Sequence, residues 1–159
     1  MVNVKYIVIG TLKERYLREA VAEYEKRLGG FCRFETVELK EERLSDNPSE
    51  GEIRQALERE ATRVLAEIPQ RAYCVAMCVE GVSLSSEELA ERMEQMEQKS
   101  GEICFVIGSS FGLSPSVKAR ADLRLSVSKL TFPHQLMRVL LLEAIYRSFQ
   151  IRKGTRYHK

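Results

Sequence analysis

Two short segments constrain this chain more than any other feature. Tyr73–Val79 (YCVAMCV) and Ile103–Ile107 (ICFVI) are apolar at every position. Successive strand residues face opposite sides of a sheet, so a strand with no polar residue must be covered on both faces. Helical patterns flank both segments. The pair therefore predicts central strands of a largely parallel sheet with helices on both faces, an α/β architecture.

The rest of the chain fits that plan. Val2–Ile9 reads as a strand ending at Gly10, and Leu12–Leu28 as a helix with Leu12, Tyr16, Ala20, Val21, Tyr24 and Leu28 on one stripe. Gly29-Gly30 stops it, and Phe31–Leu39 is a second, less regular strand followed by a charged connection over 40–47. Ser49–Glu52 and Ser85–Glu88 are capping boxes that open the second and third helices. Ser114-Pro115 starts a short fourth helix. Leu123, Leu125 and Val127 then alternate with polar residues as a strand, and His134–Gln150 is the last helix. Its run Val139–Leu142 is apolar all round, which calls for burial by the sheet and by a second copy of the chain. The expectation is one domain spanning 1–159, with five to six strands and five helices. In such sheets ligands bind beyond the carboxyl ends of strands, which selects the loops after Val79, Ile107 and Val127.

Composition narrows the function classes. With 44% hydrophobic residues in 159, the chain can bury a core without disulfides or metals. The cysteines are Cys32, Cys74, Cys78 and Cys104. Cys74 and Cys78 would stand about 13 Å apart in a strand, too far for one bridge or one metal ion. No metal site is expected, and four unpaired cysteines suit a reducing cytoplasm. No apolar run approaches a membrane span, and Met1–Gly10 does not read as a secretory signal. The net charge of +2 hides an asymmetry: residues 1–100 carry 15 basic and 20 acidic side chains, residues 101–159 carry 10 and 3. A basic end of this kind either faces a polyanion or solubilises the tail.

Three clusters carry possible chemistry. Gly108-Ser109-Ser110-Phe111-Gly112 follows a buried strand and matches neither a phosphate-binding nor a dinucleotide-binding glycine loop. It satisfies G-x-S-x-G with Ser110 as a nucleophile, and Asp122 and His134 follow in hydrolase order, so a small serine hydrolase is one reading. A turn where glycine allows close approach of backbone and ligand is the other. Ser126–His134 alternates polar and apolar residues, leaving backbone groups free to meet a ligand or simply to connect two elements. The end of the chain, Arg152–Lys159, combines cations with Tyr157 and His158, which suits phosphates and bases as well as a frayed terminus.

Together these stretches carry a resemblance. Phe105–Leu113, Ser128–His134, Arg138–Arg147 and Tyr157-His158 stand where the RlmH family has F-V-I-G-x-x-x-G-L, S-x-x-T-x-P-H, R-V-x-L-x-E-x-x-Y-R and a closing Y-H. The chain resembles that family, the bacterial 23S rRNA (pseudouridine-N3)-methyltransferases of the SPOUT superfamily, over essentially its whole length. Ser109 replaces a common second glycine and Cys78 an acidic residue. The resemblance implies a C-terminal trefoil knot, a homodimer, and S-adenosyl-L-methionine held by Met77, Gly108, Val127, Ser128, Lys129, Leu130, Thr131 and Phe132. It implies methylation of N3 of a pseudouridine in large-subunit 23S rRNA on the assembled 70S ribosome. N3 carries a proton, so the reaction wants a base or an anion-stabilising cation. His158 is the expected base, Tyr157 a stacking or orienting group, and Arg147 the cation, with the tail of one subunit reaching the cofactor loops of the other. A non-catalytic ribosome- or RNA-binding module is the rival from another class; it would give no calorimetric signal with S-adenosyl-L-methionine.

Overall fold

The computed structural model describes residues 1–159. Its elements run β1 (Asn3–Ile9), α1 (Arg15–Leu28), β2 (Arg33–Leu39), α2 (Glu50–Glu67), β3 (Tyr73–Ser83), α3 (Ser86–Lys99), β4 (Glu102–Ile107), α4 (Pro115–Arg120), β5 (Leu123–Ser126) and α5 (His134–Lys153). The five strands form one sheet in the order β2-β1-β4-β3-β5, and every neighbouring pair is parallel.

The apolar strands are covered on both faces. Val4, Tyr6 and Val8 of β1 and Ile103, Phe105 and Ile107 of β4 enter a core shared with α1, α3 and α5. Their alternates Ile7, Ile9, Cys104 and Val106 enter a smaller core under α2 and α4. Ser49 and Ser85 each accept the backbone N–H three residues on, and Glu52 and Glu88 accept the return bond from the serine N–H.

Several boundaries differ from the sequence pattern: β2 begins at Arg33 rather than Phe31, and β5 ends at Ser126, leaving Val127 to the loop that follows. α1 starts at Arg15 rather than Leu12: Leu12 is buried as a loop residue, and Arg18 donates to the Leu12 and Lys13 carbonyls. β3 continues to Ser83, with its register against β5 shifting between Met77 and Val82. Gly81 stands in that bulge, where a Cβ would come within 2.7 Å of the Leu125 carbonyl carbon. α5 continues to Lys153 and is stopped by Gly154 at φ +73°.

The apolar run of α5 is divided. Leu141 and Leu142 are fully buried in the chain's own core, while Val139 and Leu140 remain half-buried. No helix is long and apolar enough to cross a membrane.

The capping boxes give a direct test. Ser49→Ala removes the acceptor for the Glu52 N–H and should lower unfolding free energy by about 1 kcal/mol, with an unchanged denaturant slope in urea titration.

Candidate active site

Three segments converge. The bulged stretch Met77–Glu80 within β3, and the segments Ile107–Leu113 and Leu125–Phe132 that lead out of β4 and β5, Lys129 excepted, wall one cavity of about 540 Å³. Met77, Gly108, Val127, Ser128, Leu130, Thr131 and Phe132 all lie on its wall. Lys129 belongs to the same loop but is exposed and takes no part in the wall. Two serines shape this loop: Ser126 Oγ donates to the Ser128 carbonyl at 2.9 Å, and Ser128 Oγ accepts from Leu130 N–H at 3.0 Å. Such side-chain turns leave much of the backbone free to face a ligand.

The glycine loop closes on itself. Gly112, at φ +87°, donates its N–H to the Ser109 carbonyl at 2.9 Å. A Cβ on Gly108 would lie 2.3 Å from the Gly112 carbonyl oxygen. Gly108 is thus required by the turn itself, before any ligand is considered. Ser110 and Phe111 are exposed at the tip.

The hydrolase arrangement does not assemble. Asp122 precedes β5 at the amino end of the sheet, where its carboxylate accepts the Cys74 N–H at 2.8 Å. Ser110 and His134 stand at the opposite, carboxyl end, after β4 and at the start of α5.

Arg147, Tyr157 and His158 are brought together, but away from the cavity wall of their own chain. Arg147 lies over the Tyr157 ring at 4.7 Å, and the Tyr157 hydroxyl donates to Glu143 at 2.8 Å. Burial, and then the Glu143 bond, push the Tyr157 hydroxyl pKa up. Burial alone would raise the Glu143 carboxyl, yet bonds from Tyr24, Tyr157 and Arg147 outweigh it and hold it below the usual range. Arg147 Nη1 donates to His158 Nδ1 at 3.2 Å, and His158 Nε2 meets Glu87 at 2.6 Å. A guanidinium only donates, so Nδ1 accepts and the ring hydrogen sits on Nε2. Both ring nitrogens of His158 are therefore engaged in this state.

Sequence reasoning missed Glu60. It is buried within α2, accepting from Ser109 Oγ at 3.4 Å and from the Glu42 N–H at 3.0 Å. Burial raises its carboxyl above the usual range. An internal glutamate on a helix gives no signal in a sequence rich in surface glutamates. No group of three or more His, Cys, Asp or Glu side chains gathers to hold a metal ion.

A family model described as predicted SPOUT methyltransferase matches residues 2–158. The protein named ribosomal RNA large subunit methyltransferase H of Streptococcus thermophilus is 48% identical over 158 residues, covering 99% of each chain. Proteins of the same name from Leuconostoc mesenteroides and Clostridioides difficile are 45% and 42% identical with the same coverage. A crystal structure described as a probable rRNA-methyltransferase from Porphyromonas gingivalis shares the fold, with TM-score 0.57 at 15% identity over 95% of this chain and 70% of that one.

The glycine loop yields a prediction. Gly108→Ala forces the Gly112 backbone outward and should cost about 1–3 kcal/mol, read as a lowered unfolding midpoint, whereas Gly101→Ala, whose Cβ meets nothing within 4 Å, should cost less.

Proposed function

The chain belongs to the SPOUT methyltransferase family, and from that premise we propose that it transfers a methyl group from S-adenosyl-L-methionine to N3 of a pseudouridine in large-subunit 23S ribosomal RNA. The reading takes the assembled ribosome as substrate, the cytoplasm as the place of reaction, and residues 1–159 as one domain. The observation that carries it is the convergence of the β3 bulge and the loops after β4 and β5 on one cavity walled by Met77, Gly108 and the 127–132 loop.

The reading includes a trefoil knot. β5 is an edge strand, whereas Arg138 of α5 bonds the carbonyls that end β1, two strands beyond β3. The chain therefore passes the ends of β3 and β4 between the two. It also includes a homodimer. Val79, Val82 and Leu130 are exposed beside the cavity at 85%, 50% and 72%, and Val139 and Leu140 are only half-covered on α5. A second copy would cover these residues and bring its own Arg147, Tyr157 and His158 to the cavity.

When bound, the donor supplies a methyl already activated by its sulfonium charge. The protein's part is alignment, exclusion of water and removal of the N3 proton. Arg147 supplies a cation for a phosphate or for the developing base anion, and Tyr157 a ring for stacking. His158 accepts a proton once Nδ1 is released from Arg147. Lys129, exposed in the 127–132 loop, is read as a cofactor contact.

Two outcomes are expected. Removing Arg156–Lys159 should leave S-adenosyl-L-methionine affinity near wild type and lower single-turnover methylation of ribosomes by about 100-fold or more. A truncated protein that matches wild type reduces the tail to a solvated end, and absence of heat with the donor in calorimetry favours the non-catalytic RNA-binding module. Leu140→Glu places a charge on the half-covered side of α5, leaving the buried Leu141 in place, and should convert a dimer to monomer in light scattering.

A further inference from the structure

The cofactor cavity has a larger neighbour. A cleft of about 880 Å³ opens beside it, between Gly10-Thr11, the Glu38–Ser45 segment and the side of α2 that carries Ile53 and Leu57. Four residues line both spaces: Ser109, Ser110, Phe111 and His134. A methyl group moving from a donor in one to an acceptor in the other passes between these side chains.

The partition has the parts such a transfer needs. Phe111 is 47% exposed, a free aromatic face at the boundary. Proteins that modify a base take it out of its stack into a pocket and hold it against such a ring. His134 is the one member of the four that titrates near neutral pH. No hydrogen bond within the chain engages its ring, unlike that of His158. Burial first, and then the charge of Arg138 on its own helix, lower its proton affinity; Lys13 after β1 adds to this and Glu41 after β2 opposes it. Its place at the amino end of α5 acts in the same direction as Arg138. His134 thus holds an unprotonated nitrogen at neutral pH. Lys13, Lys40 and Arg43 stand exposed round the cleft among the carboxylates of Glu38, Glu41, Glu42 and Glu60, and these three cations are the groups that a phosphate flanking a flipped nucleotide can meet.

We propose that this cleft receives the RNA base, extruded onto Phe111, and that His134 takes the proton from its N3. The proposal rests on the methyltransferase reading above, adds to it the berth of the substrate, and assigns the N3 proton to His134 in place of His158. In the step, the N3–H bond breaks and its proton passes to the His134 ring. The electron pair left on N3 forms the bond to the methyl carbon. The sulfur–methyl bond breaks with its pair remaining on sulfur, which loses its positive charge.

The test is single-turnover methyl transfer to ribosomes at saturating S-adenosyl-L-methionine, from about pH 5 to pH 9, for wild type, His134→Ala, His134→Gln, His158→Ala and Thr11→Trp. Wild-type rate should fall as pH drops through a value below the ordinary histidine pKa of about 6.5, because the proton then occupies the accepting nitrogen. Both His134 variants should lose about 100-fold or more and lose that acid limb, with an unchanged urea unfolding midpoint as the check on folding. His158→Ala should keep the limb. Thr11 is exposed in the cleft and absent from the cofactor cavity, so Thr11→Trp should raise the ribosome concentration for half-maximal rate about tenfold without changing donor affinity. An acid limb that persists in His134→Ala, or a Thr11→Trp protein indistinguishable from wild type, overturns the proposal. Wild-type protein that binds the donor yet methylates no RNA overturns the methyltransferase reading, and this proposal with it.

Discussion

A buried guanidinium decides where the site stands. Arg138 is 2% exposed, and its Nη2 donates to the carbonyls of Ile9 and Gly10 at 2.7 and 2.9 Å. Tyr6 of β1 returns a bond from its hydroxyl to the Arg138 carbonyl at 3.0 Å. The second turn of α5 is thereby fixed to the end of β1. Glu38 supplies counter-charge at 3.8 Å. Removing one partner of a buried charge arrangement typically costs about 3–5 kcal/mol, so this anchor resists displacement. The segment from β5 must cover the remaining distance across the sheet end, and that segment walls the cavity that Met77 and Gly108 also line. His134, one turn before Arg138, is carried to the boundary between the cavity and the cleft by the same anchor, and the anchor's charge lowers its proton affinity.

Much of this was legible in the sequence, for identifiable reasons. The two unbroken apolar segments demanded cover on both faces, and both faces are covered. The serine–glutamate boxes placed the starts of α2 and α3 at the residue because a cap is a local hydrogen-bond exchange. Strand polarity selected the loops after β4 and β5 that meet at the cavity, whereas the stretch beside Val79, expected to be a loop, is part of β3. What escaped was tertiary. The extension of β3 through Glu80-Gly81 depends on pairing with β5 across a bulge, for which no local pattern exists. Arg138 looks like any surface arginine of a helix until the end of β1 is laid beside it. The cleft is built from residues as distant in sequence as Gly10, Glu41, Glu60 and His134, so no motif could announce it.

The charge asymmetry of the sequence reads differently in three dimensions. The basic final third and the acidic first hundred residues suggest two opposed ends. In the fold, part of that imbalance is paired across elements. Arg152 meets Glu97 and Lys118 meets Glu80, each cation from residues 101–159 and each acid from the first hundred. The terminus is likewise neither frayed nor free: the Tyr157 ring packs edge-on against Tyr146 at 5.0 Å while its hydroxyl bonds Glu143. The bonds to Glu143 and Glu87, with the Arg147–His158 bond, hold the Tyr157 ring, the His158 imidazole and the Arg147 guanidinium as one cluster.

The glycine loop shows why one short segment can serve two cavities. A turn held by its own side chains would have to point them inward. Here Gly108 and Gly112 close the turn through backbone contacts, with a Cβ at Gly108 excluded by the Gly112 carbonyl. The three residues between them are left free of that task. Ser109 reaches back to Glu60 and ties the loop to α2, while Ser110 and Phe111 face outward at the boundary. Backbone closure keeps the partition thin, and a thin partition is what a reaction between two separately bound molecules requires, since reacting atoms must approach to about 3–3.5 Å.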